Sequence, residues 1–176
     1  LLRRQRQMCI RDSFLNMKKV SLAVIGCGRI GQMHAKNVQL HEKTNLACIY
    51  DPNDEFAKKI SIDLGIQAVK NVDEIFNNDE IDAVLISSPT NTHIDFIEKS
   101  VAAKKPVFCE KPIDLDIHKV NECSKRLEGN TIPIQLGFNR RFDPGHQAAK
   151  KSLTNGEIGD LHQCLITSRD PGLPSW

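Results

Sequence analysis

Lys19-Val20-Ser21-Leu22-Ala23-Val24-Ile25-Gly26-Cys27-Gly28-Arg29-Ile30-Gly31 reads as a buried strand, a turn of the form G-x-G-x-x-G and the first turn of a helix. A second strand, Leu46-Ala47-Cys48-Ile49-Tyr50, ends on Asp51. That acid lies about 20 residues past the last glycine, the spacing of a dinucleotide fingerprint. Each part has a physical task. Gly26 allows the tight turn, Gly28 lets backbone approach a pyrophosphate, and Gly31 lets the helix pack on the sheet. The amides of the first helical turn, from Arg29 and Ile30 onward, lack intrahelical partners and can bind phosphate oxygens. Asp51 can accept hydrogen bonds from both ribose hydroxyls. A lone G-x-G-x-x-G also arises for purely structural reasons. A strand before it, a helix after it and the acid downstream make it a dinucleotide signal.

The chain has 176 residues and a formal net charge of +2. Residues 1–16 hold Arg3, Arg4, Arg6 and Arg11 against Asp12 alone, a balance of +3 that leaves −1 for residues 17–176. The folded part therefore offers no basic field for nucleic acid. The leader lacks the apolar run of a signal peptide. It resembles translated adapter sequence and is set apart from the fold, with a disordered basic arm as the alternative and Met17 as the natural start. No apolar stretch approaches a membrane span. Cys9, Cys27, Cys48, Cys109, Cys123 and Cys164 show no C-x-x-C spacing. They read as reduced residues, mostly in the core of a cytoplasmic protein.

Strands and helices alternate after Met17. A helix over about 29–40 directs Ile30, Met33 and Val38 to the sheet. The next, from about Asp54, repeats Phe56, Ile60 and Leu64 and stops at Gly65. Further strands are expected over 66–69, 82–87, 106–109 and 132–136. Between them lie a short helix over 73–76, one with Ile94, Ile97 and Val101 on one face, and one over 116–127 burying Ile117, Val120, Cys123 and Leu127. Continuous apolar strands separated by helices imply an α/β fold: a doubly wound Rossmann parallel sheet, covered on both faces. After Gly137 a helix opens at Asp143-Pro144-Gly145, and Asp160–Ser168 reads as a strand. Residues 17–137 are thus expected to form a dinucleotide-binding domain. Residues 138–176 are expected to begin a second, α+β domain that the chain does not complete.

Glu110-Lys111-Pro112 follows the fifth strand on the same edge as the glycine turn. Together with Gly26–Gly31, Asp51-Pro52-Asn53 and Ser88-Pro89-Thr90-Asn91-Thr92-His93 it resembles the Gfo/Idh/MocA oxidoreductase family. The likeness continues through Asn139-Arg140-Arg141-Phe142-Asp143-Pro144 and Ser168-Arg169-Asp170-Pro171. Within that family the motifs are most similar to those of the inositol 2-dehydrogenases.

The resemblance implies NAD as cofactor and Lys111 as the catalytic lysine, contacting the hydroxyl being oxidised and the nicotinamide ribose. A cation beside that oxygen stabilises developing alkoxide and can relay its proton. It further implies a cis bond before Pro112, a contact from Glu110 to the nicotinamide side, and Ser87, Ser88, Pro89 and Asn91 along the cofactor. Asn139, Arg140, Arg141 and Asp170 would face substrate. The residues alone leave other readings open: a solvated lysine at a strand end, a helix cap by Asn91 or Thr92, a surface arginine pair, and structural roles for His34, His93 and His118. The family completes its site with an aspartate and a histidine that this sequence does not reach, so the chain alone is expected to be inactive. The complete protein is expected to oxidise a cyclic polyol, myo-inositol first, as a homo-oligomer formed through its C-terminal domain. A pyranose dehydrogenase and a non-catalytic dinucleotide sensor are the alternatives.

Overall fold

The computed structural model describes residues 18–169. They divide into two compact units at the Gly137–Phe138 bond. The first unit is built on strands β1 (Val20–Ile25), β2 (Thr44–Tyr50), β3 (Gln67–Ala68), β4 (Ala83–Ile86), β5 (Val107–Cys109) and β6 (Ile134–Leu136). All pair in parallel in the order β3-β2-β1-β4-β5-β6. The chain moves one way from β1 through β2 and β3, then returns to the other side for β4, β5 and β6. The crevice between β1 and β4 is where such a sheet receives ligands.

Helices α1 (Arg29–Leu40), α2 (Asp54–Leu64), α3 (Asp73–Phe76), α4 (His93–Ala102) and α5 (Ile117–Arg126) connect the strands. The punctuation is local. Asn53 caps α2 by accepting the Glu55 amide at 2.9 Å, and Gly65 ends it in the left-handed region at φ 64°, a conformation glycine adopts at little cost. Asp116 caps α5 through the His118 amide at 2.8 Å.

Neighbouring β1 residues face opposite sides of the sheet. Ala23 and Ile25 join a core with Ile75, Ile86 and Ile97, while Val24 joins one with Ala35, Ile49 and Ile60. Three apolar helix residues depart from the sequence pattern. Met33, Phe56 and Ile117 are exposed, and the small residues Gly31, Ala35 and Ala57 take the sheet-facing positions instead. Small side chains let α1 and α2 lie close to the sheet, leaving no depth for Met33 or Phe56.

Register positions the site. A shift between Leu22 and Ala23 accommodates one extra residue of β2, so that Ile25 pairs with Tyr50. Ile25 also pairs with Ile86, Ile86 with Cys109, and Cys109 with Leu136. Asp51, Gly26, Ser87, Glu110 and Gly137 therefore leave the sheet along one edge. The ladder extends into this row: the amides of Gly26, Ser87, Glu110 and Gly137 donate to the carbonyls of Tyr50, Ile25, Ile86 and Cys109 at 2.8–2.9 Å.

In the second unit a 3₁₀ turn (Asn139–Phe142) leads to helix α6 (Pro144–Thr154). Asp143 caps that helix, its Oδ1 meeting the His146 amide at 3.0 Å and Nδ1 at 2.9 Å. The strand expected over 160–168 is not formed. A strand needs a hydrogen-bonded neighbour, and the described part of this unit contains only a turn and a helix. Leu161, Leu165 and Ile166 are accordingly exposed, as is Cys164, which does not join the core. Among the described residues no helix is long and apolar enough to cross a membrane.

Candidate dinucleotide and substrate site

The glycines of the turn have separate reasons. A Cβ on Gly26, at φ 95°, would collide with the Ser87–Ser88 backbone, so β1 and β4 approach at a point only glycine permits. A Cβ on Gly31 would strike the Gly26 carbonyl. At Gly28 a Cβ would meet nothing within 4 Å. That open space lies at the start of α1, where no side chain caps the helix. Arg29 is exposed and Ile30 half-buried. Room beside uncapped amides, together with the partial positive charge of a helix start, fits a pyrophosphate.

Asp51 is fixed against this turn. Its Oδ2 accepts the Cys27 amide at 2.7 Å and its Oδ1 accepts the Asn53 amide at 2.8 Å. A carboxylate has about four acceptor positions, so it keeps capacity for ribose hydroxyls. Burial, then the Asp51 charge, pushes Cys27 up to about 12. Burial and the Glu110 charge do the same for Cys109. Cys109 is fully buried and packs in the core with Ile86 and Val107, an environment that disfavours a nucleophile.

Ser87 spends its hydroxyl on the glycine turn, with Oγ 3.0 Å from the Gly26 carbonyl. Ser88 Oγ lies 2.7 Å from Thr92 Oγ1, and Thr92 bonds the Pro89 carbonyl at 2.7 Å. Neither Asn91 nor Thr92 caps α4: the Thr92 hydroxyl turns back to Pro89, and Asn91 remains exposed beside Pro89.

Glu110 is half-buried. Its Oε1 meets His34 Nε2 at 2.8 Å, and the Phe108 ring stands edge-on to His34 with centroids 5.5 Å apart. Gly137 lies over the same carboxylate, where a Cβ would come within 3.2 Å of Oε1. Helix α1 is thereby tied to the end of β5. Lys111 is exposed at this edge, and the Lys111–Pro112 bond is cis, as the resemblance implied. His93 is buried at 2% exposure, with Nδ1 2.7 Å from the Pro112 carbonyl and Nε2 2.9 Å from the Ser88 carbonyl.

One edge thus gathers Gly26, Gly28, Asp51, Ser87, Ser88, Glu110 and Lys111. Asn139, Arg140 and Arg141 belong to the second unit, where they are exposed. There Phe138, Arg140, Arg141, Phe142, His146 and Lys150 line an open hollow. Asp170 lies outside the described residues. The contacts of His34, His93 and Gly137 were missed from sequence. Their position beside the Gly-rich turn, the S-P-T motif and the last strand was the only signal available.

The fold has counterparts among known proteins. Residues 20–138 match the model of the Gfo/Idh/MocA oxidoreductase family, NAD-binding Rossmann fold. The inositol 2-dehydrogenase of Rhizobium meliloti is 41% identical over 155 residues, 88% of this chain and 47% of that protein. The crystal structure of a myo-inositol dehydrogenase from Corynebacterium glutamicum superposes with a TM-score of 0.74 at 42% identity, over 81% of this chain and 43% of that one. A scyllo-inositol dehydrogenase from Lactobacillus casei, with bound NAD(H) and scyllo-inositol, does so with a TM-score of 0.76 at 33% identity and the same coverage, 81% and 43%. The chain spans about half the length of the curated relatives it matches. With the glycine turn, the acid of β2 and the six-strand parallel order all in place, this chain belongs to the Gfo/Idh/MocA oxidoreductase family and carries its NAD-binding Rossmann fold.

Proposed function

We propose that the complete protein carrying this chain is a cytoplasmic, homo-oligomeric, NAD-dependent dehydrogenase of a cyclic polyol, oxidising myo-inositol to its 2-keto form. Residues 17–137 are its cofactor domain, and residues 138–176 begin its substrate domain. The observation that carries this reading is the placement of Lys111 on the strand edge that also presents Gly28 and Asp51.

Gly28 and the amides of Arg29 and Ile30 hold the pyrophosphate, Asp51 the adenosine ribose, and Ser87, Ser88, Pro89 and Asn91 the body of the cofactor. Bound NAD supplies the hydride acceptor. The Lys111 ammonium would donate a hydrogen bond to the substrate oxygen and stabilise its developing alkoxide charge, while the hydride passes to NAD and the hydroxyl proton is relayed along the lysine to water. Glu110 faces the nicotinamide side. Asn139, Arg140, Arg141 and Asp170 supply the several polar contacts a polyol needs.

A pure dinucleotide sensor has no use for a lysine at this edge. Relatives named for myo- and for scyllo-inositol both support a cyclic polyol. The test is NADH formation by the complete protein against inositol isomers and pyranose sugars. Oxidation of an inositol ahead of every pyranose is expected, and turnover of a pyranose alone would replace this reading.

A further inference from the structure

His93 is a fully enclosed polar side chain of the described residues that the proposed chemistry leaves without a task. It opens α4, yet its ring does not cap that helix. The imidazole lies between two backbone carbonyls. One belongs to Ser88, five residues earlier; the other to Pro112, 19 residues later and directly after Lys111. A neutral imidazole donates from only one nitrogen. The Pro112 contact is the shorter, at 2.7 Å against 2.9 Å.

The two contacts are not equivalent in what they hold. The Ser88 segment has other anchors: the Ser87 amide on the Ile25 carbonyl at 2.8 Å, the Thr92 amide on the Pro89 carbonyl at 2.9 Å, and the Ser88–Thr92 hydroxyl pair. After the Glu110 amide leaves the ladder, the Lys111–Pro112 segment has the weak 3.3 Å contact of the Lys111 amide with Glu110 Oε2 and the His93 ring. Lys111 is itself exposed. The Glu110 carbonyl before it accepts the Cys109 thiol at 3.4 Å and Ile113 after it packs against the core; at Pro112 itself the backbone is held by the histidine.

We infer that His93 is a positioning residue: through Nδ1 it fixes the Pro112 carbonyl and so sets where Lys111 stands relative to the cofactor loop. This rests on the reading of Lys111 given above for its catalytic consequence, but not for the tether.

The experiment compares His93→Asn and His93→Gln in the complete protein. The Asn amide can replace Nδ1 and reach Pro112; the Gln amide can replace Nε2 and reach Ser88. Two readouts are taken: amide hydrogen exchange over residues 110–114, and kcat beside the dissociation constant of NAD. Exchange is expected to stay near wild type in His93→Asn and to quicken in His93→Gln. Turnover should fall further in the Gln variant, toward the roughly 10²-fold loss that a misplacement of about 1 Å can cause, with NAD affinity changed little in either. Equal exchange in the two variants, or faster exchange in His93→Asn, overturns the tether. Loss of NAD affinity in step with kcat overturns the positioning of Lys111. If the tether holds while wild-type protein oxidises no polyol, the functional reading fails and the tether stands.

Discussion

The Cys27 amide donates to Asp51 Oδ2 at 2.7 Å, joining the middle of the glycine turn to the end of the adjacent strand. One carboxylate thus braces the glycine turn and, in the function proposed above, also meets the ribose. The two tasks are coupled: removing the acid costs the turn a buttress as well as the ligand a partner.

Asp51→Ala is expected to weaken NAD binding about 10- to 100-fold, the equivalent of one charge-assisted hydrogen bond worth roughly 1.5–3 kcal/mol. Wild-type protein should prefer NAD to NADP, because the carboxylate repels a 2′-phosphate and Pro52 and Asn53 supply no cation to meet one. Parallel titrations with both cofactors check this. NADP binding as tightly as NAD would contradict it.

Gly28→Ala and Gly31→Ala should separate binding from folding. A methyl at Gly28 enters open space, so the variant should unfold as wild type does while losing NAD affinity. A methyl at Gly31 strikes the Gly26 carbonyl, and such overpacking costs roughly 1–3 kcal/mol. Urea unfolding beside NAD titration distinguishes the two, and equal stability losses would undo the distinction.

The thiols should differ sharply in alkylation. Cys27 and Cys109 are held up to about 12, and Cys48 to about 11, chiefly by burial. Reactivity requires the thiolate, so these three should remain unmodified by iodoacetamide from neutral to mildly alkaline pH. Exposed Cys164 should react. Mass spectrometry of the folded protein reads each site, and rapid labelling of Cys109 would reopen a nucleophilic role.

Most of the fold was legible because its signals are local. Apolar runs mark the buried strands, Asn53, Asp116 and Asp143 cap helices through amides two or three residues on, and Gly65 stops α2 in the left-handed region. The strand expected over 160–168 failed because a β pattern forms a strand only where another strand meets it. Met33 and Phe56 were misplaced because α1 and α2 approach the sheet on alanine and glycine, which periodicity undervalues. The shared edge was legible where it is a motif, at Gly26–Gly31, Asp51 and Lys111. It was not legible at His34, whose partner Glu110 stands 76 residues away, or at His93, whose role depends on a carbonyl that no side-chain pattern announces.

The central claim is that Lys111 acts in oxidation of a polyol by the NAD bound at this edge. The direct measurement is NADH formation from myo-inositol by the complete protein, wild type and Lys111→Ala, with NAD affinity measured for both. The account predicts NADH from the wild type, a loss of about 10²–10⁴-fold in kcat for the variant, and nearly unchanged NAD binding. Near-normal turnover in Lys111→Ala, or no NADH from the wild type with any inositol isomer, would contradict it.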